Sequence, residues 1–253
     1  MKALLPLACI VTFSLSSCLK DEDPDPRETL EDYLCLFTEL ERSTLIACAG
    51  GNSSGLDNSG IESTDVFFYP EPGATNFKYY EAESVSDSTN YEAYKLIDLP
   101  SEMVFNGYMR KIELPPFEGE KMAIVTYQTP GKQHVCDPIR LKTNTKPTEV
   151  NSELVTVSQN GVTPAFSWLE GVIEENVIFF QVVSDSEDDL ISGTYTLETN
   201  FTFYDLNNVV LNVSPVNPEP ELIPNANYDF TLMGVSEDNW INMFSVVDFS
   251  TAE

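Results

Sequence analysis

The sequence predicts an all-β fold, two tandem antiparallel sandwiches, on three observations. From Thr44 onward, β-branched and aromatic runs alternate with clusters of Gly, Pro, Asn, Asp and Ser. That is the pattern of short strands joined by turns. No segment beyond Thr44 sustains a helical period, so nothing is available to cover a parallel sheet. A chain of 253 residues, 42% of them hydrophobic, fits two cores better than one.

Met1-Lys2 opens the chain with one positive charge, and residues 3–15 are mostly apolar and uncharged. The run is too short to span a bilayer as a helix. It ends in Leu15-Ser16-Ser17-Cys18, which resembles the lipobox of bacterial lipoproteins: a branched apolar residue, two small ones and a cysteine. The resemblance implies loss of residues 1–17 as a signal peptide and a diacylglycerol on Cys18. Anchoring to the outer membrane would then rest on acyl chains, at about 0.8 kcal/mol per buried CH₂. The plainer alternative is an ordinary secretory signal with an incidental cysteine. Leu19 stands where an Asp would resemble an inner-membrane retention signal. Lys20-Asp21-Glu22-Asp23 resembles the surface-export signal of Bacteroidetes-type lipoproteins; without that resemblance it is a solvated spacer.

Residues 18–42 form the acidic tether and one short amphipathic helix. Asp25 can cap a helix, Pro26 suits its first position and Glu28 completes a capping box. Leu30, Tyr33, Leu34, Phe37 and Leu40 recur at spacings of three and four. This predicts a helix over residues 26–42, its stripe packed on the domain that follows, since a lone helix of that length is marginal in water.

The first sandwich occupies residues 43–147 and the second residues 148–253. The polar linker LKTNTKPTEVNSE, with Pro147, reads as a hinge. In the second block Trp168 lies on an early strand, VIFFQVV (177–183) is apolar on both faces, and NMFSVVDF (242–249) is the last strand. Leu222, Pro224 and Tyr228 stand at the spacing L-x-P-x-x-x-Y. This resembles the E–F corner of a fibronectin type III domain, where a tyrosine hydroxyl bonds to the backbone just upstream; Trp168 matches that family's core tryptophan on strand B. In the first block, VFFYPEPGATNFKYYE (66–81) resembles strands B and C, with Phe67 or Phe68 in place of the tryptophan. MAIVTYQTPGKQHVCDPIRLK (122–142) resembles an F–G hairpin turning at Pro130-Gly131. Here no tyrosine follows Leu114-Pro115-Pro116 at the corner distance, so the block is read as immunoglobulin-like. Tether and sandwiches together resemble Bacteroidetes surface lipoproteins, which implies a location and a fold but no activity.

The formal net charge of −28 repels nucleic acid and anionic lipid headgroups, so polyanions are excluded as partners. Cys35, Cys48 and Cys136 remain once Cys9 and Cys18 are accounted for; one bridge in any of three pairings, or three free thiols, all fit. His134 is the single histidine and lies two residues from Cys136, yet no third group orients a nucleophile pair. No H-E-x-x-H, G-x-S-x-G or phosphate loop occurs, so no enzyme or cofactor is expected. A carboxylate-pair hydrolase would need a cleft with two facing acids, which a sandwich of this size seldom builds.

Fibronectin-like strand order puts Asp185, Glu187, Asp188 and Asp189 in the C–C′ loop at one end. Glu170, Glu174 and Glu175 of the B–C loop then share the other end with Glu237 and Asp238 of the F–G loop. Those five carboxylates are the candidate calcium ligands, the alternative being a solvated acidic rim. Trp240 beside them either stacks on a ligand or caps the core. Adjacent residues of a strand face opposite ways, so one of Tyr79 and Tyr80 should face outward. The resulting expectation is a non-enzymatic lipoprotein on the outer membrane's outer face, contacting an extracellular protein or matrix through Trp240 and those loops. A glycan-binding accessory of a polysaccharide uptake system is the alternative. Mass spectrometry of the membrane-extracted protein should find an acylated Cys18 as the first residue, and Cys18→Ala should release the chain from the membrane; an unmodified amino terminus contradicts the lipobox.

Overall fold

A computed structural model describes residues 28–158 and 161–253. The lipobox, Cys18 and the acidic tetrad lie outside the described residues.

The helix α1 spans only Leu30–Leu34, with Thr29 as N-cap accepting from the Asp32 N–H at 3.1 Å. This corrects the longer helix expected over 26–42. Leu40 to Arg42 belong to a strand instead, because their backbone groups find partners along a sheet edge. The stripe does pack on the first sandwich: Leu30, Tyr33 and Leu34 are buried in its core cluster.

The first sandwich contains β1 (Leu40–Asn52), β2 (Ser63–Tyr69), β3 (Thr75–Ala82), β4 (Lys95–Ile97) and β5 (Glu102–Val104), followed by β6 (Met109–Leu114), β7 (Lys121–Thr129), β8 (Lys132–Cys136) and β9 (Ile139–Leu141). Strand β1 belongs to both layers. Its first half pairs parallel with β8, and from Ile46 it pairs antiparallel with β2. One layer therefore runs β1-β2-β6-β5 and the other β4-β3-β7-β8-β1, with β9 also on β7. Read as A to G, these are an ABED sheet and a C′CFG sheet, an immunoglobulin-like order. Strands B and C and the F–G hairpin fall where the sequence placed them. Phe68, only 1% exposed, takes the core position of the missing tryptophan. Tyr79 and Tyr80 are both buried, correcting the expectation that one faces water. Helix α1 covers the outer face there, with the Tyr33 ring 6.0 Å from that of Tyr80.

The second sandwich contains β10 (Glu149–Val150), β11 (Val155–Ser158), β12 (Ala165–Trp168), β13 (Ile178–Asp185) and β14 (Leu190–Thr196), then β15 (Asn200–Thr202), β16 (Val209–Asn212), β17 (Asn227–Val235) and β18 (Ile241–Ser250). Its layers are β11-β12-β15 and β10-β18-β17-β13-β14-β16. These are an ABE sheet facing a GFCC′ sheet, extended by β10 and β16, as in a fibronectin type III domain. Trp168 packs edge-on against Phe179 at 5.5 Å, and Phe166 stacks on Phe230 at 3.9 Å. The corner closes as expected: the Ile223 N–H donates to the Tyr228 hydroxyl at 2.8 Å.

The two sandwiches share a third core. Phe67 and Met109 of the ABED sheet cluster with Phe180, Val182, Met233, Val235 and Ile241 of the GFCC′ sheet. This explains why 177–183 is apolar on both faces: Phe179 and Val183 fill the inner core, Phe180 and Val182 the junction. The backbones approach closely at Gly50, where a Cβ would lie 2.9 Å from the Ile241 Cβ. The linker is no hinge. Thr148 is buried and its hydroxyl donates to the Ile241 carbonyl (2.7 Å) while accepting from the Gly51 N–H (2.9 Å). A polar linker stays polar here because its hydroxyls and amides are spent on cross-domain bonds.

Trp240 is fully buried in the first sandwich's core cluster, its indole N–H donating to the Lys146 carbonyl at 2.8 Å. Trp240→Ala should cost about 3–5 kcal/mol and split one urea transition into two; a parent protein that already melts in two steps contradicts this junction.

Candidate functional site

The loops at the expected end do not form the expected site. Trp240 is inside the protein and offers no surface to a ligand, so of its two readings the core cap holds and the central contact falls. It went inward because its F–G loop plugs the first sandwich: the Ala49 N–H donates to the Asn239 carbonyl at 3.0 Å, and the Arg140 N–H to the Asp238 carbonyl at 3.0 Å. The Asp238 carboxylate receives the Lys142 ammonium at 2.9 Å on each oxygen and the Ser236 hydroxyl at 2.6 Å. Burial pushes this carboxyl up, but the Ser236 hydroxyl and the Lys142 charge outweigh burial and hold it below the usual range. Glu175 pairs with Lys146. Glu170, Glu174 and Glu237 are exposed. The five carboxylates therefore form no metal-binding group; among the described residues no cluster of three such ligands occurs.

His134 and Cys136 are enclosed too. His134 is 2% exposed, stacked on Tyr127 at 4.5 Å, with Nε2 2.8 Å from the Thr129 hydroxyl. Cys35, Cys48 and Cys136 are free. Burial pushes the thiols of Cys48 and Cys136 up to about 12, which leaves no thiolate at neutral pH.

What the sequence reading missed is a cleft of about 700 Å³ between the sandwiches. Moving away from the F–G loop, β17 and β18 part from the first sandwich after Val235 and Ile241. Met233, Thr231 and Asp229, with Phe244 and Val246, then line one wall. The opposite wall comes from β2, β6, the loop after β1 and the turn after β5. Alternation on β2 sets what it shows: Val66 and Phe68 point into the core, so Asp65 and Phe67 face the second sandwich. Register places Glu113 opposite Asp65 and Lys111 opposite Phe67. Phe105 lines the cleft from a left-handed backbone, φ 49°, a conformation uncommon for a bulky residue.

Asp65 is the outlier on this wall. It is 7% exposed and its Oδ1 accepts no hydrogen bond from the protein. The nearest cation, the Lys111 ammonium, stands 3.7 Å away, beyond hydrogen-bond reach. Burial, opposed by Lys111, pushes the carboxyl up to about 6. Across the cleft Asp229 is also pushed up to about 6, by burial and by its cross-strand neighbour Asp248. A signal for Asp65 exists in the sequence: STDVFFY sets apolar residues on both strand faces, so the acid sharing Phe67's face has to be covered.

No family model matches the chain, and no curated protein matches it. Among solved structures, the chain is similar to the FN1–FN3 domains of chicken CNTN1, at 12% identity over 86% of this chain and 69% of that one, TM-score 0.30. It is similar also to a structure titled for neurohormone perception by the receptor tyrosine kinase Torso, at 13% identity over 85% and 76%, TM-score 0.29. The fold assignment stands on this chain's own strand order.

The raised carboxyl has a signed consequence. Between the ordinary value of 3.8 and about 6 the unfolded chain ionises first, so stability falls as pH rises through that window and stays lower above it, by about 3 kcal/mol. Asp65→Asn should melt later than the parent at pH 8 and with it at pH 4; equal melting at both pH values rejects the buried, underpaired carboxylate.

Proposed function

We propose that the chain is a non-enzymatic contact module, lipid-anchored on the outer face of a bacterial outer membrane, that receives part of an extracellular partner in the junction cleft. The observation that carries this is the cleft itself. Both sandwiches build it, most of its exposed lining surface is apolar, and six charged side chains converge on it, a make-up close to that of a ligand site. A junction fixed by backbone bonds holds such a site open at little entropic cost on binding. The acidic tether and Cys18 supply the distance and the anchor. The glycan-binding alternative asked for two exposed rings on one plane. Among the described residues no aromatic side chain is fully exposed, so the cleft is the better-supported contact.

A second reading has one observation in its favour. Asp65 and Asp229 face one cleft from opposite walls, the feature a carboxylate-pair hydrolase requires. Acid–base division of labour needs environments that push the two carboxyls apart. Here burial raises both to about 6, so neither is assigned as acid against the other as base. Binding is the better account.

Protease shaving of intact cells should release peptides from both sandwiches. Complete protection until the outer membrane is opened contradicts surface display, and glycoside turnover abolished by Asp65→Asn or Asp229→Asn contradicts the non-enzymatic reading.

A further inference from the structure

The first sandwich holds the single histidine in an unfinished arrangement. His134, on β8, lies directly opposite Tyr127 on β7, with the two rings stacked and the imidazole 2% exposed. Its Nε2 meets the Thr129 hydroxyl at 2.8 Å. Its Nδ1 is buried and bonds to no group of the protein. The Glu71 Oε1 stands 3.8 Å from that nitrogen, too far for a hydrogen bond. Buried polar atoms are ordinarily partnered, and a neutral imidazole donates from one nitrogen only. If Nε2 donates to Thr129, Nδ1 is a bare acceptor facing a carboxylate. If Nδ1 carries the proton, that proton falls short of its acceptor. A doubly protonated ring removes the conflict, because both nitrogens then donate, one to Thr129 and one to Glu71.

Glu71 is placed for this exchange. Glu71-Pro72-Gly73-Ala74 is a tight turn between β2 and β3, closed by the Ala74 N–H on the Glu71 carbonyl at 3.0 Å. Pro72 in second position and Gly73 at φ 83° fit a type II turn. The Glu71 N–H donates to the Tyr127 hydroxyl at 3.2 Å. The backbone is therefore held, and the side chain, 55% exposed, is the part that can swing. The other charges near the ring are already matched. Glu41 of β1, opposite His134 in register, takes Lys132 of β8 at 2.8 Å, and Glu39 adds to the field on Lys132. The remaining titratable neighbours are the Tyr127 hydroxyl on β7, Tyr69 at the end of β2, and Cys136 further along β8, whose thiol faces the core. Glu71 also lines a hollow of about 350 Å³ that the turn walls, and Arg110 is the one other charged residue of that lining. Arg110 is fixed there by two bonds to Ser101 and by the Phe77 ring at 4.4 Å.

We propose that His134 and Glu71 form a proton-operated latch: a proton taken up by the imidazole draws the Glu71 carboxylate onto Nδ1 and leaves Arg110 as the unmatched charge of the hollow. The proton comes from solvent, by way of the half-exposed carboxylate. The latch does not rest on the reading of the junction cleft.

The test titrates the purified full chain from about pH 8 to about pH 5, following the imidazole nitrogens, the backbone amides and the Arg110 Nε–H by ¹⁵N NMR. One histidine gives one set of ring signals. As both ring nitrogens become donors, the amides of Glu71, Gly73 and Ala74 and the Arg110 Nε–H should shift with the ring's own midpoint. In Glu71→Gln the turn amides and Arg110 should lose that response. Should this variant not fold, the Glu71 side-chain carboxyl carbon of the unaltered chain decides, by moving with the ring or staying apart from it. Glu41→Gln should leave the response in place. A ring that takes up no proton before the chain unfolds overturns the latch, as do turn amides that ignore the ring or follow it equally in Glu71→Gln. An Arg110 signal that stays fixed while the turn responds overturns the charge change in the hollow.

Discussion

The architecture depends on the insertion of one hairpin loop into a neighbouring domain. The F–G loop of the second sandwich carries Trp240 into the core of the first, where its ring is fully buried and its N–H is held by the Lys146 carbonyl. Around it, Asp238 takes Lys142 on both oxygens and Asn239 donates to the Pro138 carbonyl at 3.1 Å. An indole of this size accounts for several kcal/mol of burial. Its hydrogen bonds fix direction as well as depth. With the loop withdrawn, Phe67 and Met109 on one sheet and Phe180 and Met233 on the other would meet water, and the linker bonds of Thr148 would have nothing to brace.

The cleft is a product of the same constraint. Two twisted sheets pinned near one loop stay in contact over Val235 and Ile241 and diverge beyond. The residues lining the gap belong to strands whose alternation was set by the inner cores. Asp65 shares a face with Phe67, and Asp229 shares one with Met233. Acids at the mouth of an apolar junction give a surface that neither sandwich presents alone. That is why the proposed contact lies at the junction and not on the loop tips, where sandwich domains commonly carry it.

Much of the fold was legible because it is written locally. Apolar runs broken by turn residues located the strands of the first block, the resemblance to sandwich domains lettered them B, C, F and G, and the L-x-P-x-x-x-Y spacing located the corner that Tyr228 closes. The errors share one cause, pairing between residues far apart in sequence. Leu40 to Arg42 continue a helical stripe, yet they take backbone partners from β8, some ninety residues on. Trp240 among acids looks like a surface residue until Ala49 and Lys146 are brought to it. Thr148 reads as linker until Gly51 is beside it. The candidate site was the least legible part, since it is built from both sandwiches. The two-faced apolar strands at 177–183 and around Phe67-Phe68 were its trace, because each needs a cover beyond its own partner sheet.

The most direct test of the locked junction is backbone ¹⁵N relaxation on the whole chain, read separately for the strands of each sandwich. One shared rotational correlation time and diffusion tensor is expected, with the amides of residues 141–153 as rigid as the strands. Distinct correlation times for the two sandwiches, or fast internal motion across that segment, would contradict the account.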